Sequence, residues 1–327
     1  MRILTDRGRG ARRPGMTLVE LLISMLLLSF VMGTILTVVM RQQRFYRSAS
    51  EIMETRGQLR SAISILPVEL RGVSTQVRDA TGAVVDSDIR AMGPTSIEVR
   101  STFGGGVVCD IDIAGSTVTL YPDELASNGL RLGGFLYEPG AGDIVYFLNN
   151  GEGGSSDDSW EQRVIAAAPT TNAECAAGLA GGTAADLALP RREITLAAAP
   201  SADIAVGAPV RISRTVEYAL YQDGASGLWY LGQRVKHEGT NTYSQREPVA
   251  GPYLPATNDP ATSGMYLRYY DVNGAEIATT DLAARQSVAR IDLTVRGETA
   301  TDVSGSGFGK GNKVVLQRIS IAIRNRT

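Results

Sequence analysis

The sequence predicts an α+β protein: a long N-terminal helix, first apolar and then amphipathic, followed by a large antiparallel β-rich head. Three observations carry that reading. An apolar run extends from Met16 to Met40 with one carboxylate, Glu20, near its start. Apolar residues then recur at helical spacings as far as Val77. Beyond residue 78 the composition turns to Gly, Thr, Val, Asp and Ser, in short alternating runs between turn signals, which is the pattern of β-strands.

The apolar run is about 25 residues long, so as a helix it would cover roughly 37 Å, more than the ~30 Å hydrocarbon core of a bilayer. Arg2, Arg7, Arg9, Arg12 and Arg13 precede it against Asp6 alone. The positive-inside rule then places the N-terminus in the cytoplasm and the head outside, a single pass through the inner membrane. The run exceeds the apolar core of about 7 to 15 residues in a secretory signal. The nearest small-residue segment, Ser48-Ala49-Ser50, lies beyond Arg41, Arg44 and Arg47. The hydrophobic segment is therefore expected to stay in the chain.

Glu20 is the residue that needs a reason. A charge at mid-bilayer costs on the order of 3 kcal/mol and less toward a helix end, and intramembrane carboxylates are functional by default. The plain alternative is a carboxylate that reaches the headgroups and does nothing. Cleavage after Gly15 would create a cationic amine on Met16, one helical turn before Glu20, so that a cation could be paired with the anion.

Through Gly15, Met16, Thr17, Leu18 and Glu20 the chain resembles the type IV prepilin family, which includes the pseudopilins of type II secretion. The resemblance implies a prepilin peptidase that cuts after Gly15 on the cytoplasmic side and methylates the new amine of Met16. It implies that the helix remains as an assembly stalk, and that Glu20 neutralises the N-terminal amine of a neighbouring subunit. Pro14 stands before the glycine, and Met16 where phenylalanine is usual. A glycine at a cut site lets a protease approach the backbone closely.

Residues 1–15 are thus read as a leader that is removed, 16–40 as the transmembrane part of the stalk, 41–77 as its amphipathic part and 78–327 as an extracytoplasmic head. Phe45, Ala49, Ile52, Leu59, Ile63 and Leu66 begin an apolar stripe that Leu70, Val73 and Val77 continue. It suits a helix packing on its own domain. Pro67 removes one helical hydrogen bond and is expected to kink or end the helix near Leu66.

In the head the clearest hairpin pairs Thr215–Gln222 with Leu228–Arg234 across Asp223-Gly224-Ala225-Ser226-Gly227. Tyr218, Tyr221, Trp229 and Tyr230 are available there for cross-strand pairs. A second is expected from Tyr266–Tyr270 through Asn273-Gly274. Ile291, Leu293 and Val295, and later Ile319, Ile321 and Ile323, alternate with polar residues as two further strands, separated by the glycine-rich segment 304–311. The Ala-rich stretch at about 166–208 reads as a loop-rich insertion with one or two strands and as a seam in the head. Gly251-Pro252 and the segment from Leu267 to Gly274 resemble the larger W-type minor pilins and J-type pseudopilins.

Cys109 and Cys175 are the only two cysteines. In an oxidising compartment a disulfide between them is expected, the alternative being two free thiols. The chain holds 32 basic and 34 acidic residues, and loss of five Arg and one Asp with the leader leaves 27 against 33. An acidic head argues against nucleic-acid binding. Arg318, Arg324, Arg326, Lys310 and Lys313 read as a solvated strand face.

Catalytic signatures are nearly absent, and neither an enzyme nor a cofactor is expected. His237 is the single histidine, set between Lys236 and Glu238 at a polar hairpin end. Gly305, Gly307, Gly309 and Gly311 satisfy neither phosphate-loop pattern. Asp271, Asn273 and Glu276 lack the spacing of a calcium loop, and Asp157 with Asp158 is a weaker cluster of the same kind.

The resemblance and the size of the head together imply a minor pilin of a type IV pilus, a low-abundance subunit that initiates or caps a filament. Its partners would be prepilin peptidase and other minor and major pilins or pseudopilins. A J-type pseudopilin of type II secretion shares these features. A membrane-anchored adhesin or ligand-binding module would share the head but has no need of Glu20.

Overall fold

The computed structural model describes residues 15, 17–75, 77–78, 84–149, 159–171, 175, 183–300 and 311–323. Residues 1–14, Met16, Asp157, Asp158, Lys310, Arg324, Arg326 and the glycine-rich segment 304–310 lie outside the described residues. The chain divides into two compact units, Met1–Met53 with Thr299–Lys313, and Glu54–Glu298 with Val314–Thr327.

The first unit holds the start of helix α1 (Leu18–Arg71). Its apolar side chains are open to the surroundings; Phe30 is 74 % exposed. The hydroxyls in this stretch turn back onto the helix. Ser24 donates to the Leu21 carbonyl at 2.9 Å, Ser29 to Leu26 at 2.8 Å and Thr37 to Gly33 at 2.8 Å. The segment therefore needs no water to satisfy these groups, the condition for lying in lipid.

In the second unit α1 buries one face, Leu59, Ala62, Leu66 and Leu70, continued by Val73. The expected stripe is buried from Leu59 to Val73, with Ile63 half-buried, whereas Phe45 is exposed. Pro67 does not end the helix, which runs one further turn to Arg71. An interior proline costs about 3 kcal/mol. Complete burial of Leu66 and Leu70 on either side offsets it at roughly 2 kcal/mol each. Residues 72–75 are accordingly not helix, and Val77 begins a strand.

Short strands β1 (Val77–Arg78), β2 (Val84–Asp86) and β3 (Ile89–Met92) lead into β4 (Ser96–Asp112), 17 residues long. There follow β5 (Thr117–Leu120), β6 (Gly134–Phe135), β7 (Ile144–Asn149), β8 (Ser159–Val164), β9 (Thr170–Thr171), helix α2 (Ala184–Leu187) and β10 (Arg192–Thr195). Next come β11 (Pro209–Gln222), β12 (Trp229–His237), β13 (Thr242–Tyr243) and β14 (Glu247–Tyr253). The chain closes with β15 (Met265–Tyr270), α3 (Leu282–Ser287), β16 (Arg290–Glu298) and β17 (Val314–Ala322). A large antiparallel sheet runs β13-β12-β11-β4-β5-β10-β9 with β14, β3, β6, β7 and β8 branching from it, and β15-β16-β17 form a second sheet. The protein is α+β, with a head that is mostly antiparallel sheet.

Two cores follow. In the first, α1 packs with Ile97 and Val99 of β4, Val216 and Leu220 of β11, and the inward residues of β15–β17. The second joins the far half of β4 to β5, β7, β10 and the start of β11 around Val108, Phe147, Ile194 and Ile212. Strand β4 serves both, and Gly104, Gly105 and Gly106 lie where it passes from one to the other. A Cβ at Gly104 would collide with the Phe135 ring, and one at Gly105 would lie 2.8 Å from the Val210 carbonyl. The Ala-rich stretch contains β9, α2 and β10 and supplies Ile194, Leu196, Ile204 and Ala208 to the second core, so it is a wall of that core. Cys109 of β4 is joined to Cys175 by a disulfide, with Cα atoms 5.5 Å apart.

The β11–β12 hairpin sets Tyr221 opposite Tyr230, but Tyr218 faces Gln233 and Trp229 faces Gln222. The turn at Asn273-Gly274 forms, with Asp271 Oδ1 accepting from the Asn273 and Ala275 amides at 2.9 and 2.8 Å. Its return makes only a bridge at Glu276, and β15 pairs instead with β16 beyond α3. Asp271 is thus engaged by its own turn.

Sequence reading missed a buried ionic cluster beside the end of α1. Arg100, 4 % exposed, donates to Tyr146 Oη at 2.6 Å, to Asp88 at 3.3 Å and to Asp86 at 3.1 Å. Asp88 also accepts from the Ser74 amide at 3.0 Å, which ties the chain after α1 to β4. Burial pushes the Asp88 carboxyl up. Burial acts on Asp86 in the same sense, but the Ser87 amide with Arg100 and Arg90 outweighs it and holds that carboxyl below its usual value. The share of stability carried by Asp86 is therefore present above about pH 4 and lost as pH falls through its lowered value, whereas Asp88 acts in the opposite sense. Arg100→Met is expected to cost about 3–5 kcal/mol in chemical denaturation, because it strands Asp88 without its cation. A loss below about 1 kcal/mol would show that the cluster does not hold the helix end.

Candidate functional site

The chemistry singled out by the sequence converges on the first turn of α1. Thr17 precedes the first helical residue, and its carbonyl accepts the Leu21 amide at 3.2 Å. Its hydroxyl accepts the Glu20 amide at 3.3 Å, while Glu20 Oε2 accepts the Thr17 amide at 3.3 Å and the Thr17 hydroxyl at 3.4 Å. This reciprocal arrangement is a capping box. It was readable in the sequence as Thr-x-x-Glu before an apolar run, a signal that the sequence analysis did not use. The carboxylate also sits at the positive end of the helix dipole, which favours an anion.

The box uses one carboxylate oxygen. Glu20 Oε1 has no partner among the described residues, and the side chain is exposed. Gly15 is exposed too, and a Cβ built on it would meet nothing within 4 Å. No contact within the described chain requires glycine there. Met16, the other half of the expected cut site, lies outside the described residues.

The remaining sequence candidates do not gather into a site. His237 is exposed at the end of β12. Glu276 lies 3.8 Å from Arg268 on the surface, and Arg318 donates to the buried Thr294 hydroxyl at 3.2 Å. No group of three or more His, Cys, Asp or Glu able to hold a metal occurs among the described residues.

Thr17→Val removes the hydroxyl that accepts the Glu20 amide. Loss of a cap costs about 1 kcal/mol, so hydrogen exchange at that amide in detergent micelles is expected to quicken about five-fold. Unchanged exchange would mean that the box does not hold the helix end.

Residues 10–36 match the family model described as the prokaryotic N-terminal methylation motif. Comparisons with curated proteins and with solved structures found no match. The match spans Gly15, the capping box and the exposed apolar turns after it, so the chain carries the methylation motif of the type IV prepilin and pseudopilin-like proteins.

Proposed function

We propose that the protein is a minor pilin of a type IV pilus, processed by prepilin peptidase and assembled through its N-terminal helix. In this reading residues 1–15 are removed, 16–40 stay in the inner membrane, 41–77 extend the stalk and 78–327 form the head outside. The arginines before the apolar run support the N-in orientation. The role is structural rather than catalytic.

The observation that carries the reading is Glu20. Its Oε2 is engaged by its own helix end, and its Oε1 is left for a donor from elsewhere. In lipid an anion with a free oxygen is costly until a cation reaches it. The amine created at Met16 of a neighbouring subunit is such a cation, and pairing across subunits would couple processing to assembly. Gly15 fits the same scheme, because the demand for a residue without Cβ would come from the peptidase. A head of about 250 residues, repeated at every position, would crowd a filament shaft. This favours low copy number, at initiation or at the tip.

Glu20→Ala is expected to insert into the membrane as well as the parent chain and to be lost from sheared filaments. Normal incorporation of this variant would remove the assembly role. Gly15→Phe is expected to accumulate as a precursor on immunoblots, and full processing would contradict the assignment of the cut site.

A further inference from the structure

A groove of about 490 Å³ opens on the face of the large sheet, between the last turns of α1 and the chain after β6. Helix α1 covers Val99, Val216 and Leu220 on this face. It leaves open a strip walled by Val68 and Glu69 on one side and by Leu136 and Tyr137 on the other. The volume lies in the range of small-molecule sites.

The floor carries a cross-strand row. Tyr218 of β11 is in register with Gln233 of β12, which is in register with Glu247 of β14, so the three side chains stand side by side on one face. The Tyr218 ring is buried, with the residue 3 % exposed, while its hydroxyl is not fully enclosed and has no hydrogen-bond partner among the described residues. The Gln233 amide and the Glu247 carboxylate likewise have none. These polar groups are open to the groove, where a ligand can pair with them. Burial and the nearby Glu69 carboxylate keep the Tyr218 phenol protonated well above its usual range.

The charges in this lining are one-sided. Arg214, its only cation among the described residues, is held by Asp143 through two hydrogen bonds of 2.9 and 2.7 Å and lies over the Phe103 ring at 4.5 Å. Its charge is spent. Glu69 accepts from the Ser101 hydroxyl and has no cation beside it among the described residues, and Glu247 has none either. An anion entering the groove would meet two carboxylates. A neutral apolar ligand would bury them together with Tyr218 and satisfy none. A donor-rich cation on an apolar stem would pair with the carboxylates and the row of acceptors while its stem lies against Val68, Phe103 and Val216.

We propose that this groove binds an organic cation, a guanidinium or ammonium group carried on an aliphatic stem, either as a free small molecule or as a basic side chain of a partner polypeptide. The proposal does not depend on filament assembly.

The test is calorimetric titration of the full chain in detergent micelles with four probes: agmatine, 1,4-butanediol, acetyl-Gly-Leu-Arg-Gly-amide and the same peptide with citrulline for arginine. Saturable binding of agmatine or of the arginine peptide is expected, at least ten-fold weaker in Glu247→Gln and in Glu69→Gln, with neither neutral probe bound. Binding of agmatine assigns the site to the free cation; binding of the arginine peptide alone assigns it to a partner's side chain. Glu247 is exposed at the start of β14, so its variant keeps the test decisive if Glu69→Gln fails to fold. Binding of neither cation, equal binding of the citrulline peptide, or wild-type affinity in the Gln variants would overturn the proposal.

Discussion

One helix has to satisfy two solvents, and the rest of the structure depends on how it does so. In α1 the interior backbone groups pair within the segment, except where Pro67 lacks an amide in the part packed on the head, so the same backbone is tolerated in lipid and in a protein core. Side chains alone change the outcome along its length. From Leu18 to Met40 the large residues are apolar and exposed, and the hydroxyls fold back onto carbonyls one turn away. From Leu59 to Leu70 one face disappears into the first core of the head, opposite strands far away in sequence. Without that face Ile97, Val99, Val216 and the inward side of β15–β17 would lose a shared wall.

A carboxylate engages the backbone at or just beyond each end of the same helix. At the N-terminus Glu20 offsets the exposed amides of the first turn through the capping box. Beyond the C-terminus the chain is pinned by Asp88, which bonds both Ser74 and the buried Arg100. Each carboxylate stands where a bare helix end or an unpaired cation would otherwise be costly. The difference between them is that Asp88 is enclosed by its partners, whereas Glu20 keeps one oxygen open among the described residues.

Much of this was legible in the residues because it rests on local pattern. The apolar run, the stripe through Leu59, Leu66 and Leu70, the β11–β12 turn at Asp223–Gly227 and the alternation in β16 and β17 are short-range signals. What stayed hidden depends on pairings distant in sequence. Nothing near β4 announces that its 17 residues serve two cores, or that Gly104 must clear Phe135. The continuation of α1 through Pro67 is set by burial of Leu66 and Leu70, which outweighs a lost hydrogen bond. The pairing of β15 with β16 rather than with the segment after Asn273 is settled by α3, a helix of six residues too short to stand out. At the candidate site Gly15, Met16 and Glu20 were readable as a motif, but the half-engaged state of the Glu20 carboxylate needed coordinates.

The central claim is that a proteolytic step creates a cation that can pair with the Glu20 carboxylate of a neighbouring subunit. Intact mass and N-terminal fragment analysis of the protein extracted from membranes of cells with an active prepilin peptidase addresses it most directly. The account predicts a chain that begins at Met16 and carries a methylated amine. A chain that still begins at Met1 in such cells would contradict it.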